Sequence, residues 1–254
     1  MSEPSGLYTV AYRDKVRDFV LEMARADARV VAAAQVGSLA LDKGDRWSDL
    51  DLTFAVDRPF SQLDVLEDWT RIMVQEFNAI HLFDLPSGPS IYRVFLLPGC
   101  LQFDLSFTPS AQFGATGPKF KLLYGAAVVR EMRQPPSAQE LFGYAAHHAL
   151  RVRFCVERGR MWQAEYWLSS LRDYALSLAC AKRGLLPTEA RGYDDLPADV
   201  LQKFQGAIAT SLNRAELMRA LDVGIECLLS ESDEVQALAE KVAPELRKLI
   251  TAQD

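Results

Sequence analysis

Apolar residues fall at every second position over residues 49–56, with Leu50, Leu52, Phe54 and Val56 on one side and Asp49 and Asp51 on the other. That period predicts a strand with a buried back and two carboxylates on its second face. Residues 100–107 repeat the pattern: Leu101, Phe103, Leu105 and Phe107 alternate with Gln102, Asp104 and Ser106. A run of small residues and valines over residues 29–36 ends at Gly37 and predicts a short buried strand. Two more strands are expected over residues 79–85 and 91–97, set off by the turns Pro86-Ser87-Gly88-Pro89 and Pro98-Gly99. Lys119 and Lys121 alternate with Phe120 and Leu122 in a last, edge strand.

Between these strands the period changes to that of a helix. Residues 9–26 carry Val10, Val16, Phe19, Val20 and Met23 with charges between them, and Ser61 with Asp64 opens a second helix whose expected stripe is Leu63, Leu66, Trp69, Ile72, Met73 and Phe77. Too few helices separate the strands for a doubly wound parallel sheet, so a mixed sheet with helices on one side is expected. Gln134-Pro135-Pro136-Ser137 reads as a linker, and everything after it is helical. Leu141, Ala145, His148, Val152 and Cys155 form one stripe; Met161, Ala164, Leu168, Leu171, Ala175 and Leu178 form another. Further helices are expected over residues 199–212, over 216–229 behind an Asn213 cap, and over 235–250 despite Pro244. The fold class is therefore α+β, with a mixed-sheet domain over residues 1–135 and an all-α helical bundle over residues 136–254.

The 254 residues are 49% hydrophobic and 24% charged, with a formal charge of −6 and no basic run. That composition fits an ordinary globular chain and disfavours a nucleic acid as substrate, since phosphate backbones demand clustered lysines and arginines. The start of the chain is polar, and no apolar stretch approaches the ~18 residues of a membrane span. A cytoplasmic protein without membrane contacts is expected. Cys100, Cys155, Cys180 and Cys227 are far apart in apolar settings and read as buried free thiols. The sequence does not speak to oligomeric state.

Two carboxylates sharing one strand face repel, and the usual resolutions are a raised pKa or a bound cation such as Mg²⁺. Asp104 is placed to be a third carboxylate of the same site. An acidic pair alone is common on solvated strand ends; the combination with Gly37-Ser38 ten residues upstream and with a second acid-bearing strand is much rarer. Gly37-Ser38 followed by Leu39-Ala40-Leu41 predicts a tight turn into a helical turn. Such a turn offers backbone N–H groups and the Ser38 hydroxyl to phosphates, or serves only as a strand end with a capping serine. The residues from Asp42 to Trp47 read as a loop that returns the chain to the acid-bearing strand. Three acids without an activated Ser, Cys or His nucleophile favour metal-assisted phosphoryl or nucleotidyl transfer.

Gly37, Ser38, Asp49, Asp51 and Asp104 together resemble the signature of the nucleotidyltransferase fold of the DNA polymerase beta superfamily. More narrowly, the chain is similar to the small bacterial nucleotidyltransferases that modify aminoglycoside and lincosamide antibiotics. The likeness covers roughly the first 135 residues, and a helical second half is usual in that group. It implies transfer of a nucleoside monophosphate from an NTP, with ATP expected, to a hydroxyl of a small-molecule acceptor. Mg²⁺ is then the expected metal on Asp49, Asp51 and Asp104, Gly37 and Ser38 hold the β and γ phosphates, and Asp104 or Glu165 takes the hydroxyl proton. Lys119 or Lys121 reaches the triphosphate, or else guards an edge strand. Nucleotidylation of a partner protein, as in antitoxins of this fold, and nucleotide binding without catalysis are the alternatives.

In the helical half the polar and aromatic segment from Arg158 to Asp173 is the one that resembles the acceptor-facing helix of the group. Glu165 and Arg172 share a stripe there and face a cleft together or pair with each other. Glu157, Trp162, Glu165 and Tyr166 are the expected lining for a hydroxylated, cationic acceptor, drawn by acids and held by ring faces. His147 and His148 point about a hundred degrees apart and are expected to be packing or surface residues.

Overall fold

The computed structural model describes residues 6–41, 44–132 and 134–251. The expected loop therefore has Asp42 and Lys43 outside the described residues, as is the start of the chain before Gly6. The chain divides into two compact units, Met1–Arg133 and Gln134–Asp254.

The first unit is built on a six-stranded mixed sheet in the order β3-β4-β5-β2-β1-β6. Its strands are β1 (Val30–Val36), β2 (Leu50–Val56), β3 (Ile80–Ser87), β4 (Ser90–Leu97), β5 (Leu101–Pro109) and β6 (Phe120–Tyr124). Only β2 and β5 run parallel; every other neighbouring pair is antiparallel. Helices α1 (Val10–Ala26) and α2 (Gln62–Phe77) cover one face, where their Val16, Val20, Leu66, Trp69 and Met73 meet Leu50, Leu52, Phe54, Phe103, Leu105 and Phe107. The alternation in β2 and β5 thus has the cause read from it: each fully buried Leu or Phe contributes on the order of 1.5–3 kcal/mol. Trp69 ties this packing together, edge-on to Phe54 and Phe107 at 5.0 Å each, with its Nε1 donating to Asp27 Oδ2 at 2.9 Å. Thr9 caps α1 by accepting from the Tyr12 N–H, and Ser61 caps α2 by accepting from that of Asp64.

Neither α1 nor α2 packs on the other face. A small cluster of Ala32, Ala34, Ala55, Phe113 and Phe120 forms where residues after β5 fold back across it. The Val128 N–H donates to the Phe113 carbonyl at 2.7 Å, and Gly114 lies so close to Val128 that a Cβ there would stand 2.1 Å from the Val128 oxygen. Residues 113–116 and 128–130 form a strap held by this contact.

The second unit is all helix: α3 (Ala138–Glu157), α4 (Met161–Ala181), α5 (Ala198–Gln205), α6 (Arg214–Ser230) and α7 (Gln236–Thr251). Both expected stripes of α3 and α4 lie in its core, with only Met161 partly buried. Ser137 and Glu140 cap α3 reciprocally, and Asn213 caps α6 through the Glu216 N–H.

Four expectations are corrected. Leu63 is exposed and Val65 takes its place in the core, because the α2 stripe is centred one position off. The strand expected to end at Leu85 continues through Pro86 and Ser87, and its turn shrinks to Gly88-Pro89. The helix expected over residues 199–212 stops at Gln205; Arg219 from α6 takes the carbonyls of Gly206 and Ile208, at 2.6 and 3.0 Å, away from any continued helix. Cys100 is exposed, since it sits at a positive φ of 61° at the end of the turn before β5 and points away from the core.

Candidate functional site

The parallel pairing of β2 with β5 sets Asp51 directly beside Asp104 in register. Asp49 precedes the first residue of β2, so strand alternation alone does not place it. It is brought in by the loop before the strand, whose carbonyls are fastened from α1. Arg13, only 4% exposed, donates to the Asp45 and Ser48 carbonyls at 2.8 and 2.7 Å, and the Tyr8 hydroxyl adds a bond to Ser48. Asp45 closes the loop on itself: its Oδ1 accepts from the Trp47 N–H and from the Ser48 hydroxyl. The result is that Asp49, Asp51 and Asp104, all half-buried, each present a carboxylate oxygen within 4.8 Å of the others.

Gly37 ends β1 at a φ of 72° against this cluster. A Cβ at that position would lie 2.1 Å from Asp51 Oδ2, so glycine is required both by the left-handed backbone and by the closeness of the carboxylate. A one-turn 3-10 helix, Ser38–Leu41, follows immediately. The Ser38 hydroxyl is buried there without a hydrogen-bond partner among the described residues. A buried hydroxyl with no partner costs about 1–3 kcal/mol, and a bound phosphate oxygen would satisfy it.

Burial pushes the Asp104 carboxyl up, and the charge of Asp49 adds to the rise; the Gln102 amide, donating to Oδ1 at 3.0 Å, opposes it. Neither Asp49 nor Asp104 is ion-paired with a described residue. Three converging carboxylates with no cationic partner on two of them are the all-oxygen donor set that suits a hard divalent ion such as Mg²⁺.

The lysines and Glu165 are placed differently. Lys121 pairs in register with Gln35, which pairs with Leu52, so Lys121 stands on the helix-covered face and Asp51 on the open one. Lys119 lies just before β6 and is half-buried. Glu165 belongs to the second unit, on α4, where the Ser169 hydroxyl donates to it at 2.7 Å while accepting from Arg172 at 3.1 Å. Glu165 and Arg172 are thus bridged by a serine. Glu157, expected as acidic lining for an acceptor, is engaged by Arg153 and Arg214. His147 is exposed and His148 buried against Trp167 and Tyr174.

No family model matches the chain, and no curated protein matches it in sequence. Among solved structures it is similar to an aminoglycoside 6-adenyltransferase from Bacillus subtilis, at 11% identity over 94% of this chain and 99% of that one, with a TM-score of 0.41. It is also similar to JHP933 from Helicobacter pylori, at 12% identity over 92% and 96% of the two chains, with a TM-score of 0.29.

Sequence reasoning found the three acids and the Gly-Ser turn but missed Arg13. A signal was present: Arg13 stands three residues before Val16, on the same helical stripe as Val20 and Ala24, and a charge on an apolar stripe is a buried charge.

Proposed function

We propose that the chain is a metal-dependent nucleotidyltransferase that moves a nucleoside monophosphate from an NTP, ATP in the first instance, to a hydroxyl of a small molecule. The observation that carries this reading is the convergence of Asp49, Asp51 and Asp104 within 4.8 Å beside the Gly37-Ser38 turn. Mg²⁺ bound by the three carboxylates would supply Lewis-acid stabilisation of the charge that builds on the transferred and departing phosphates. The chain's own groups do the rest. The Ser38 hydroxyl donates to a phosphate oxygen of the nucleotide, helped by the backbone N–H groups at the start of the 3-10 turn. Gly37, by lacking a Cβ, lets the Asp51 carboxylate lie directly against this turn. Gln102 holds Oδ1 of Asp104, so Oδ2 is the atom that takes the proton of the attacking hydroxyl.

For the acceptor, the reading favours a hydroxylated cation of the aminoglycoside type. Its support is the net charge of −6 and the ring faces that Trp162 and Tyr166, 80% and 61% exposed, offer on α4. The experiment incubates the protein with each labelled NTP, Mg²⁺ and a panel of hydroxylated antibiotics, reading pyrophosphate release and a mass gain on the acceptor. Asp49→Asn, Asp51→Asn and Asp104→Asn should each lower turnover by ~100-fold or more while the fold persists. Undiminished Mg²⁺-dependent nucleotide binding in the Asp49→Asn/Asp51→Asn chain would sink the assignment. Label appearing on a protein and on no small molecule would replace the acceptor class.

A further inference from the structure

Beside the acids, on the face of the sheet opposite α1 and α2, lies a cavity of about 100 Å³ that the reaction above leaves unused. Its position follows from the register. Asp51, Asp104 and Val94 form one row across β2, β5 and β4; Thr53, Ser106 and Tyr92 form the next row on the same face, ~6.6 Å further along. Thr53 and Tyr92 line the cavity, with Ser90 and Thr108 from beyond them and Thr116 and Arg130 from the strap. Arg130 is the single charged residue in the lining, and no carboxylate faces it there.

Two polar groups at this place are unmatched. Arg130 makes no hydrogen bond or ion pair with any described residue. The Ser106 hydroxyl, between Thr53 and Tyr92 in register, lies behind the lining rather than in it, completely buried and with no partner among the described residues. By contrast Ser90 and Thr108 already share a 2.7 Å hydrogen bond. A guanidinium walled by hydroxyls, with no acid to neutralise it, is the donor set by which proteins hold phosphate and carboxylate groups. On this measure a single water needs only about 10–15 Å³, so the cavity has space for one such group. The Gly114–Val128 contact fixes the strap, and with it the wall that carries Arg130.

We propose that this cavity is an oxyanion subsite, in which Arg130 meets the charge of a phosphate or carboxylate group and the surrounding hydroxyls donate to its oxygens. The proposal rests on the nucleotidyltransferase reading only for the source of that group, which is either the phosphate chain of the nucleotide or an anionic substituent on the acceptor. The test is calorimetry of tripolyphosphate and ATP against the full chain in buffer with EDTA, so that no metal contributes. Arg130→Gln should weaken binding by about tenfold or more, and Arg130→Lys should recover part of it. Asp51→Asn should bind at least as tightly as the parent, because one repelling charge is gone. Equal affinity in Arg130→Gln with an unchanged melting temperature, or no oxyanion binding by the parent chain, overturns the proposal. With acceptor and Mg²⁺ present, a KM raised for the NTP alone identifies the nucleotide as the source, and a KM raised for a carboxylated or phosphorylated acceptor alone identifies the acceptor. Arg130-dependent binding in a chain that transfers no nucleotide leaves the subsite standing and removes the function. Transfer unaffected by Arg130→Gln, with Arg130-independent binding, does the reverse.

Discussion

Gly37 is the residue on which the geometry of the acids depends most directly. Gly37→Ala combines a left-handed backbone with a methyl group 2.1 Å from a carboxylate oxygen, and one of the two must move. A loss of about 1–3 kcal/mol in stability is expected, measured by denaturant melting, together with loss of divalent-ion binding measured by calorimetry. Retained metal affinity would mean that Asp51 can swing clear without leaving the site. At this scale the sequence was informative wherever a side chain obeys a period. Asp51 and Asp104 are visible because each takes a polar position in an apolar alternation, and Gly37 because it ends a run of small residues and valines. Arg130 and Ser106 were not distinguishable. Arg130 lies in an irregular segment with no period to violate, and only the strand register shows that Ser106 is buried between Thr53 and Tyr92.

Among elements, α1 does more than cover the sheet. Through Arg13 it holds the two carbonyls of the loop that delivers Asp49. Arg13→Ala leaves the Asp45 carbonyl without that donor and should cost about 1–3 kcal/mol; it should also lower kcat by ~10-fold or more by loosening Asp49, with nucleotide KM changed less. Arg13→Lys, which keeps a cationic donor on a shorter head group, should fall between, and equal kcat in all three chains would separate the loop from catalysis. At the start of β1 the Arg29 guanidinium holds the Asp27 carboxyl down to about 2 from an ordinary 3.8, with the Trp69 indole N–H assisting against burial. A depressed carboxyl stabilises the fold above its unfolded value and ceases to do so as pH falls through its folded value. The contribution, on the order of 1–2 kcal/mol, should therefore be complete above about pH 4 and vanish near pH 2. Asp27→Asn should melt lower than the parent at pH 7, and the difference should close over that window. Element types were clear in the sequence because helical and strand periods differ over ten residues or more. Their ends were less so: nothing local to residues 206–212 reveals that Arg219, on another helix, will claim the carbonyls a longer α5 would need.

For the molecule as a whole, the alternation of β2 and β5 was enough to foresee a sheet buried on one side, whereas the strap across its other side was not foreseeable. Besides the packing of Phe113, it is held by a backbone hydrogen bond and a glycine without room for a side chain, neither of which leaves a hydropathy pattern. Among the described residues no helix is long and apolar enough to cross a membrane. The parallel pairing of β2 with β5 has a consequence in time as well as in space. Asp51 and Asp104 lie on strands separated in sequence by α2 and the β3–β4 hairpin, so they meet only when a long crossover closes. Closing such a contact is slow, and here it brings like charges together at the moment of closure. Under the proposed function, a divalent ion present during folding favours the closed ladder by binding all three acids at once. The ion that serves the reaction then also serves as a template for the topology.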